Sequence, residues 1–286
     1  MEKLAEGYGL VEGPLWDESR GLLFSDVLFG GVFSLDDSGK VNIVFEHRRG
    51  IGGMAAHEAG GLVVSGRNIS FKPFDGGDTL VLLDRNEAEG NVGYNDITTD
   101  AAGRVYAGSL GASPVFEDGR EPRAGDLYMI DLDGTALKVG EDIMLTNGLG
   151  FSPDGKTLYH SDSRRQLVNC YAVHDDGTLG EKTPFAKTET GVPDGLVVSQ
   201  DGRVWVALAG GGGVAVYDAS GAGSEFIEIP QPMCTSVCFG GADLSDLYIV
   251  SGSDGMDSDR AGAIYRTRVS VPGVPVAPAR VKLPNA

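Results

Sequence analysis

Hydrophobic and polar residues alternate along this chain in short runs, and the runs repeat. A turn carrying Asp, Ser or Gly is followed by an alternating apolar segment in DESRGLLFSDV (17–27), HEAGGLVVSG (57–66), TDAAGRVYAGS (99–109), SPDGKTLYHSD (152–162), SQDGRVWVAL (199–208) and GADLSDLYIVSG (241–252). Aligned on Gly21, Gly61, Gly103, Gly155, Gly202 and Asp246, the copies are 40, 42, 52, 47 and 44 residues apart. Alternation of this kind marks half-buried strands. A second element follows most copies, as in GGVFSLDDSGKV, GDLYMIDLDGTALKV and NCYAVHDDGTLG: strand, tight Asp/Gly turn, strand. Four short strands in about 45 residues make one propeller blade. The pattern predicts an all-β, six-bladed β-propeller occupying residues 1–286 as one domain. Closing the ring calls for a terminal strand at the opposite end's blade; residues 2–11 and the final ARVKLPNA are the two candidates.

Equivalent positions of a propeller repeat fall at equivalent radius and height. Counting back from the aligned turns gives Glu12, nine residues before Gly21, and Gly53, Asn95, Asn147 and Asp194, each eight before its glycine. The sixth blade offers Thr235 or Ser236. One level of the axis therefore carries two carboxylates and two amides from four blades. Neighbouring carboxylates repel unless protonated or bridged by a cation. Hard oxygen donors in this mixture suit one divalent metal ion, Ca²⁺ foremost, with Mg²⁺, Mn²⁺ or Zn²⁺ also compatible.

Composition narrows the function classes. With 41 acidic against 23 basic residues and a formal charge of −18, the chain is not expected to bind nucleic acid. No run of 18 apolar residues is present, so no membrane span is expected, and the opening MEKLAEGYGLVEG lacks a signal-peptide core. Cys170, Cys234 and Cys238 read as ordinary small core residues. The expectation is a cytoplasmic, reduced protein acting on a small molecule. His47-Arg48-Arg49 reads as a solvated loop, with a cation for an anionic substrate as the alternative. His160 and His174 read as structural, and His57 has no assigned role. Gly210 to Gly213 read as a loop nearing the channel, and Asp254, Asp257 and Asp259 as a surface loop near its mouth.

The same residues carry a family likeness. Glu12-Gly13-Pro14, Asn95-Asp96, Thr146-Asn147-Gly148 with Ser152-Pro153-Asp154-Gly155, and Pro193-Asp194-Gly195 resemble, in order and spacing, the senescence marker protein/gluconolactonase/luciferin-regenerating enzyme family, the regucalcin-like lactonases. The resemblance covers essentially the whole chain. It implies that Glu12, Asn147 and Asp194 hold a divalent metal, that Asn95 lies beside it and contacts metal or substrate, and that Asp194 is the candidate general base. It implies lactone hydrolysis. Sugar lactonases of that family carry Arg two residues before the Asn of the third blade, where this chain has Gly93. With the long, partly apolar loop 109–125, that departure points to a lactone or ester less polar than gluconolactone. Organophosphate or ester hydrolysis on the same architecture, and a metal-stabilised binding scaffold without catalysis, are the alternatives.

Overall fold

A computed structural model describes residues 1–116 and 119–284; positions 117–118 of the long loop and 285–286 of the final segment lie outside the described residues. Six four-stranded antiparallel sheets are arranged as the blades of a six-bladed β-propeller. The innermost strands are Val11–Asp17, Met54–His57, Gly93–Thr99, Thr146–Phe151, Val192–Val198 and Cys234–Gly240. They touch one another in a closed cycle around the axis. The only helical turns among the described residues are the three-residue 3₁₀ segments Glu87–Glu89 and Ser163–Arg165. No helix of the described residues is long and apolar enough to cross a membrane.

A blade has two faces and can bury both only against neighbours. Accordingly there is one apolar cluster per blade interface. Trp205, Val214 and Leu247 join blades five and six, and Val11, Phe24 and Ile264 join six and one. Leu23, Ile51 and Val64 join one and two, and Val63, Ile97 and Val105 join two and three. Tyr106, Leu149 and Tyr171 join three and four, and Val168, Leu196 and Val206 join four and five.

Of the two candidates for ring closure, the N-terminal segment performs it. Strand Glu2–Tyr8 pairs antiparallel with Gly262–Arg268 as the outer strand of blade six. The C-terminal segment instead crosses the face of the ring at which the inner strands end. Val274 N–H donates to Val198 O at 2.8 Å, Ala279 N–H to Ala56 O at 2.7 Å, and Lys282 N–H to Leu132 O at 2.9 Å. His57 gains a role here, its Nε2 lying 3.0 Å from Val281 O. Between this strap and the inner strands lies a cavity of about 380 Å³, lined by Met54, Asp96, Ile97, Leu149, Leu196 and Val276 among others.

Candidate active site

The four residues singled out by repeat phase gather at one end of the channel, and a β-bulge in each of their four blades explains how. In blade three the pairing register skips between Tyr94 and Ile97, leaving Asn95 and Asp96 outside the ladder. The skip falls between Thr146 and Leu149 in blade four, and between Pro193 and Leu196 in blade five. Asn147 and Asp194 are thus the first unpaired residues of their bulges, as Asn95 is. A bulge re-aims a side chain that regular pleating would send into a blade interface. In blade one the skip runs from Glu12 to Leu15, so Glu12 stands one residue earlier. Its longer side chain offsets that step. In blade six the skip falls at Thr235, whose hydroxyl donates to Val11 O, with Val250 O also within 3.2 Å. That hydroxyl is therefore committed to joining the first and last blades.

Close approach of the inner strands of blades four and five requires a small residue after Asn147. A Cβ added to Gly148 would lie 2.2 Å from Leu196 N and 2.7 Å from Asp194 O. Polar side chains continue the tie around the axis. Asn95 Nδ2 donates to Asn147 Oδ1 at 2.7 Å and to Thr146 O at 2.9 Å. Asn147 Nδ2 donates to Ser163 Oγ at 2.8 Å, and Ser163 Oγ donates to Pro193 O at 2.6 Å. Asn147 is therefore held by Asn95 of blade three and by Ser163 of its own blade, which is tied in turn to blade five. Both N–H groups of Asn95 are taken, and its Oδ1 faces Gly52, whose added Cβ would lie 2.1 Å away.

The electrostatics are those of an anion cluster short of a counter-charge. Glu12, Asn147 and Asp194 are all buried. Burial first, then the charges of Asp194 and Asp96, hold the Glu12 carboxyl well above the ordinary carboxylate range. Burial and Asp96 do the same to Asp194. Asp194 Oδ1 has no hydrogen-bond partner among the described residues. Buried polar atoms are rarely left so, and a carboxylate oxygen less often than most. Among the described residues no group of three or more His, Cys, Asp and Glu has the arrangement of a metal site. The donor set is instead mixed: two carboxylates with the oxygens of Asn147 and Asn95. An orphaned carboxylate oxygen beside a second buried carboxylate and clamped amide oxygens fits a hard divalent cation.

Three residues of the site escape the repeat argument. Asp96 occupies the place held by Gly148 and Gly195 in the next two blades, and it faces the channel cavity. Burial pushes its carboxyl up to about 7. Ser163 orients Asn147 from a 3₁₀ turn that carries no motif. His160 lies 2.7 Å through Nε2 from Thr146 Oγ1, behind the ring; burial pushes it down to about 3, so it is neutral and structural. An alternation of Gly and Asp at the second bulge position was the available signal for Asp96. Ser163 had none.

At Gly93 the chain has no room for a side chain. Tyr94 N–H donates to Gly66 O at 2.7 Å and Gly66 N–H returns to Tyr94 O at 3.1 Å, so blades two and three meet backbone to backbone. A Cβ at Gly93 would lie 2.7 Å from Gly66 O. The loop Gly111–Phe116 places the Phe116 ring 3.6 Å from a Cβ built on Gly50, beside the ring. His174 sits in a hairpin turn closed by His174 N–H and Thr178 O at 2.9 Å, and residues 254–260 are exposed.

Known proteins resemble this chain over nearly its whole length. Regucalcin of Xenopus laevis is 31% identical over 284 residues, covering 95% of each chain. A pentonolactonase of Haloferax volcanii is 31% identical over 293 residues, covering 96% of each. The solved luciferin-regenerating enzyme superposes with a TM-score of 0.86 at 25% identity, covering 98% of this chain and 99% of that one. The SMP-30/gluconolactonase/LRE-like region matches residues 10–253. This chain, bulged ring included, belongs to the SMP-30/gluconolactonase/LRE-like family.

Proposed function

We propose that this protein is a metal-dependent hydrolase that opens a lactone ring, on a substrate with fewer hydroxyls than gluconolactone. The observation that carries the reading is Asp194: a buried carboxylate, pushed above its usual range, with one oxygen unpartnered and a second carboxylate across the ring. Glu12, Asn147 and Asp194 would hold one divalent ion, Ca²⁺ by the hardness of the donors, with the Asn95 oxygen as the fourth protein donor. When bound, such an ion supplies Lewis acidity toward the lactone carbonyl and toward water.

The chain's own residues supply the rest. Asp194 accepts the proton of the attacking water. Asn147 has its amide fixed from either side, Oδ1 by Asn95 and Nδ2 by Ser163. For Asn95 to donate to the substrate carbonyl, its amide must first release Thr146 or Asn147. Relatives named as lactonases support lactones as the substrate class. The reduced need for hydroxyl recognition rests on Gly93, where a side chain has no space.

The test is a panel of aliphatic, aryl and sugar lactones assayed against Ca²⁺, Mg²⁺, Mn²⁺ and Zn²⁺. Metal-dependent turnover highest on lactones lacking several hydroxyls is the expected result. Full activity in excess chelator, or gluconolactone as the best substrate, would overturn the reading.

A further inference from the structure

The loop joining blades one and two, residues 46–53, lies on the ring side of the channel. Its end forms the second blade's part of the ring, since Gly52 abuts Asn95 Oδ1. The basic run in this loop does not behave uniformly. The side chain of His47 is 92% exposed and Arg49 is also exposed, whereas Arg48 is half-buried. Its backbone carbonyl accepts from Gly31 N–H at 2.9 Å. Its guanidinium has no hydrogen bond, ion pair or aromatic face among the described residues.

That is an exception in this chain. The other half-buried arginines are all paired: Arg20 with Asp17, Arg85 with Glu87, Arg104 with Asp100, Arg165 with Asp162, Arg203 with Asp201 and Arg266 with Glu2. Acceptors are not scarce, because acidic residues number 41. A guanidinium carries five donors in a rigid fork matched to a carboxylate, and withdrawing it from water without an acceptor is costly.

Its loop lies beside the ring. A Cβ at Gly66 would lie 2.9 Å from Gly50 O and one at Gly93 2.7 Å from Gly66 O. Loops of successive blades therefore stack backbone to backbone, from Arg48's loop to the strand that bears Asn95. Phe116 leans on the same loop at Gly50.

We propose that Arg48 binds a carboxylate borne by the substrate at the channel mouth, so that the lactone taken by this site has an anionic substituent in place of a set of hydroxyls. The inference rests on the hydrolase reading for its substrate, but not for its test.

The metal-loaded protein and its Arg48→Gln, Arg48→Lys and Arg49→Gln variants would be assayed on γ-butyrolactone and on its γ-carboxylate derivative. Loss of one charge-assisted, bidentate contact predicts a rise in KM of about 10- to 100-fold for the carboxylate lactone in Arg48→Gln. The plain lactone and the Arg49→Gln variant should change less than about twofold, and Arg48→Lys should recover part of the loss. The melting temperature of Arg48→Gln should hold or rise, because an unpaired half-buried cation has been removed. Equal effects on both lactones, equal effects of Arg49→Gln, or a lowered melting temperature would overturn the proposal. So would weaker inhibition by the hydroxy-acid product with no change in substrate KM. If neither lactone is hydrolysed, calorimetric titration with succinate still decides. Binding weakened at least about tenfold by Arg48→Gln alone supports the site, and indistinguishable isotherms sink it.

Discussion

Placing a side chain at position 93 should damage the protein without giving it a sugar lactonase's specificity. The backbone there has φ +157°, a region that residues with a Cβ seldom occupy. The added Cβ would stand 2.7 Å from Gly66 O, well inside contact distance. That oxygen accepts from Tyr94 N–H, and the reciprocal bond from Gly66 N–H completes the pair. Strain of this kind costs about 1–3 kcal/mol. Loosening the two hydrogen bonds adds about 1 kcal/mol each. The sum, about 3–5 kcal/mol, corresponds to a fall in melting temperature of roughly 6–15 °C for a chain of this size. Because the conflict is at Cβ, Gly93→Ala and Gly93→Arg should lose nearly the same amount, although only the second carries a charge. Thermal melts of both variants, beside kcat/KM on gluconolactone, measure the two halves of the argument. A Gly93→Arg variant as stable as the parent, with gluconolactone hydrolysis raised tenfold or more, would refute it: the glycine would then be a missing contact and not a backbone requirement.

Asp194→Asn should retain the bound ion, as seen by elemental analysis, while kcat falls about 10²- to 10⁴-fold, the usual share of a general base; near-full activity would reduce Asp194 to a ligand. For pH, Glu12, Asp96 and Asp194 all have folded-state values raised above the ordinary carboxylate range near 4, with Asp96 at about 7. The native state therefore binds more protons, so chelator-treated protein should lose stability as pH climbs from about 4 toward about 7. Melting curves at several pH values check this, and saturating metal should flatten the slope by favouring the ionised forms. Removing residues 2–8 should expose the outer edge of blade six and turn one cooperative transition into a broader, earlier one by calorimetry; an unchanged melt would mean the ring closes by other contacts.

Much of the fold was legible because a propeller writes the same local problem six times. Turn glycines such as Gly103 and Gly155 fix the repeat phase, and phase alone brought Glu12, Asn95, Asn147 and Asp194 to one level. What phase does not encode is the chain of contacts that crosses between blades. Nothing near Ser163 in sequence announces that it clamps Asn147 and the Pro193 carbonyl together. His57 lies beside a turn like any other, and its partner, Val281, is more than 200 residues away. The choice between the two ends for ring closure was equally invisible. Both segments contain alternating residues, and only the packing shows that the later one lies across the ring face, where Thr99 Oγ1 donates to Ala277 O and His57 meets Val281. In sequence, the glycine at 93 reads as a lost contact; the pairing of Tyr94 with Gly66 adds the backbone reason.

The pairing of strand Glu2–Tyr8 with Gly262–Arg268 sets a schedule for biosynthesis. Five blades can form from neighbouring hairpins as they leave the ribosome, but this strand must wait for a partner made much later. At about 5–20 residues per second, the roughly 250 intervening residues take about 13–50 s to appear. Throughout that interval blade one has no neighbour on one side, and the waiting strand is an edge open to other nascent chains. Its sequence suits the wait. EKLAEGY places Glu2, Lys3 and Glu6 at exposed positions, and Lys3 and Glu6 lie 2.5 Å apart as an ion pair in the finished ring. Charges along a lone strand oppose pairing with a foreign edge while leaving its correct partner, which brings Arg266 to Glu2, free to accept it.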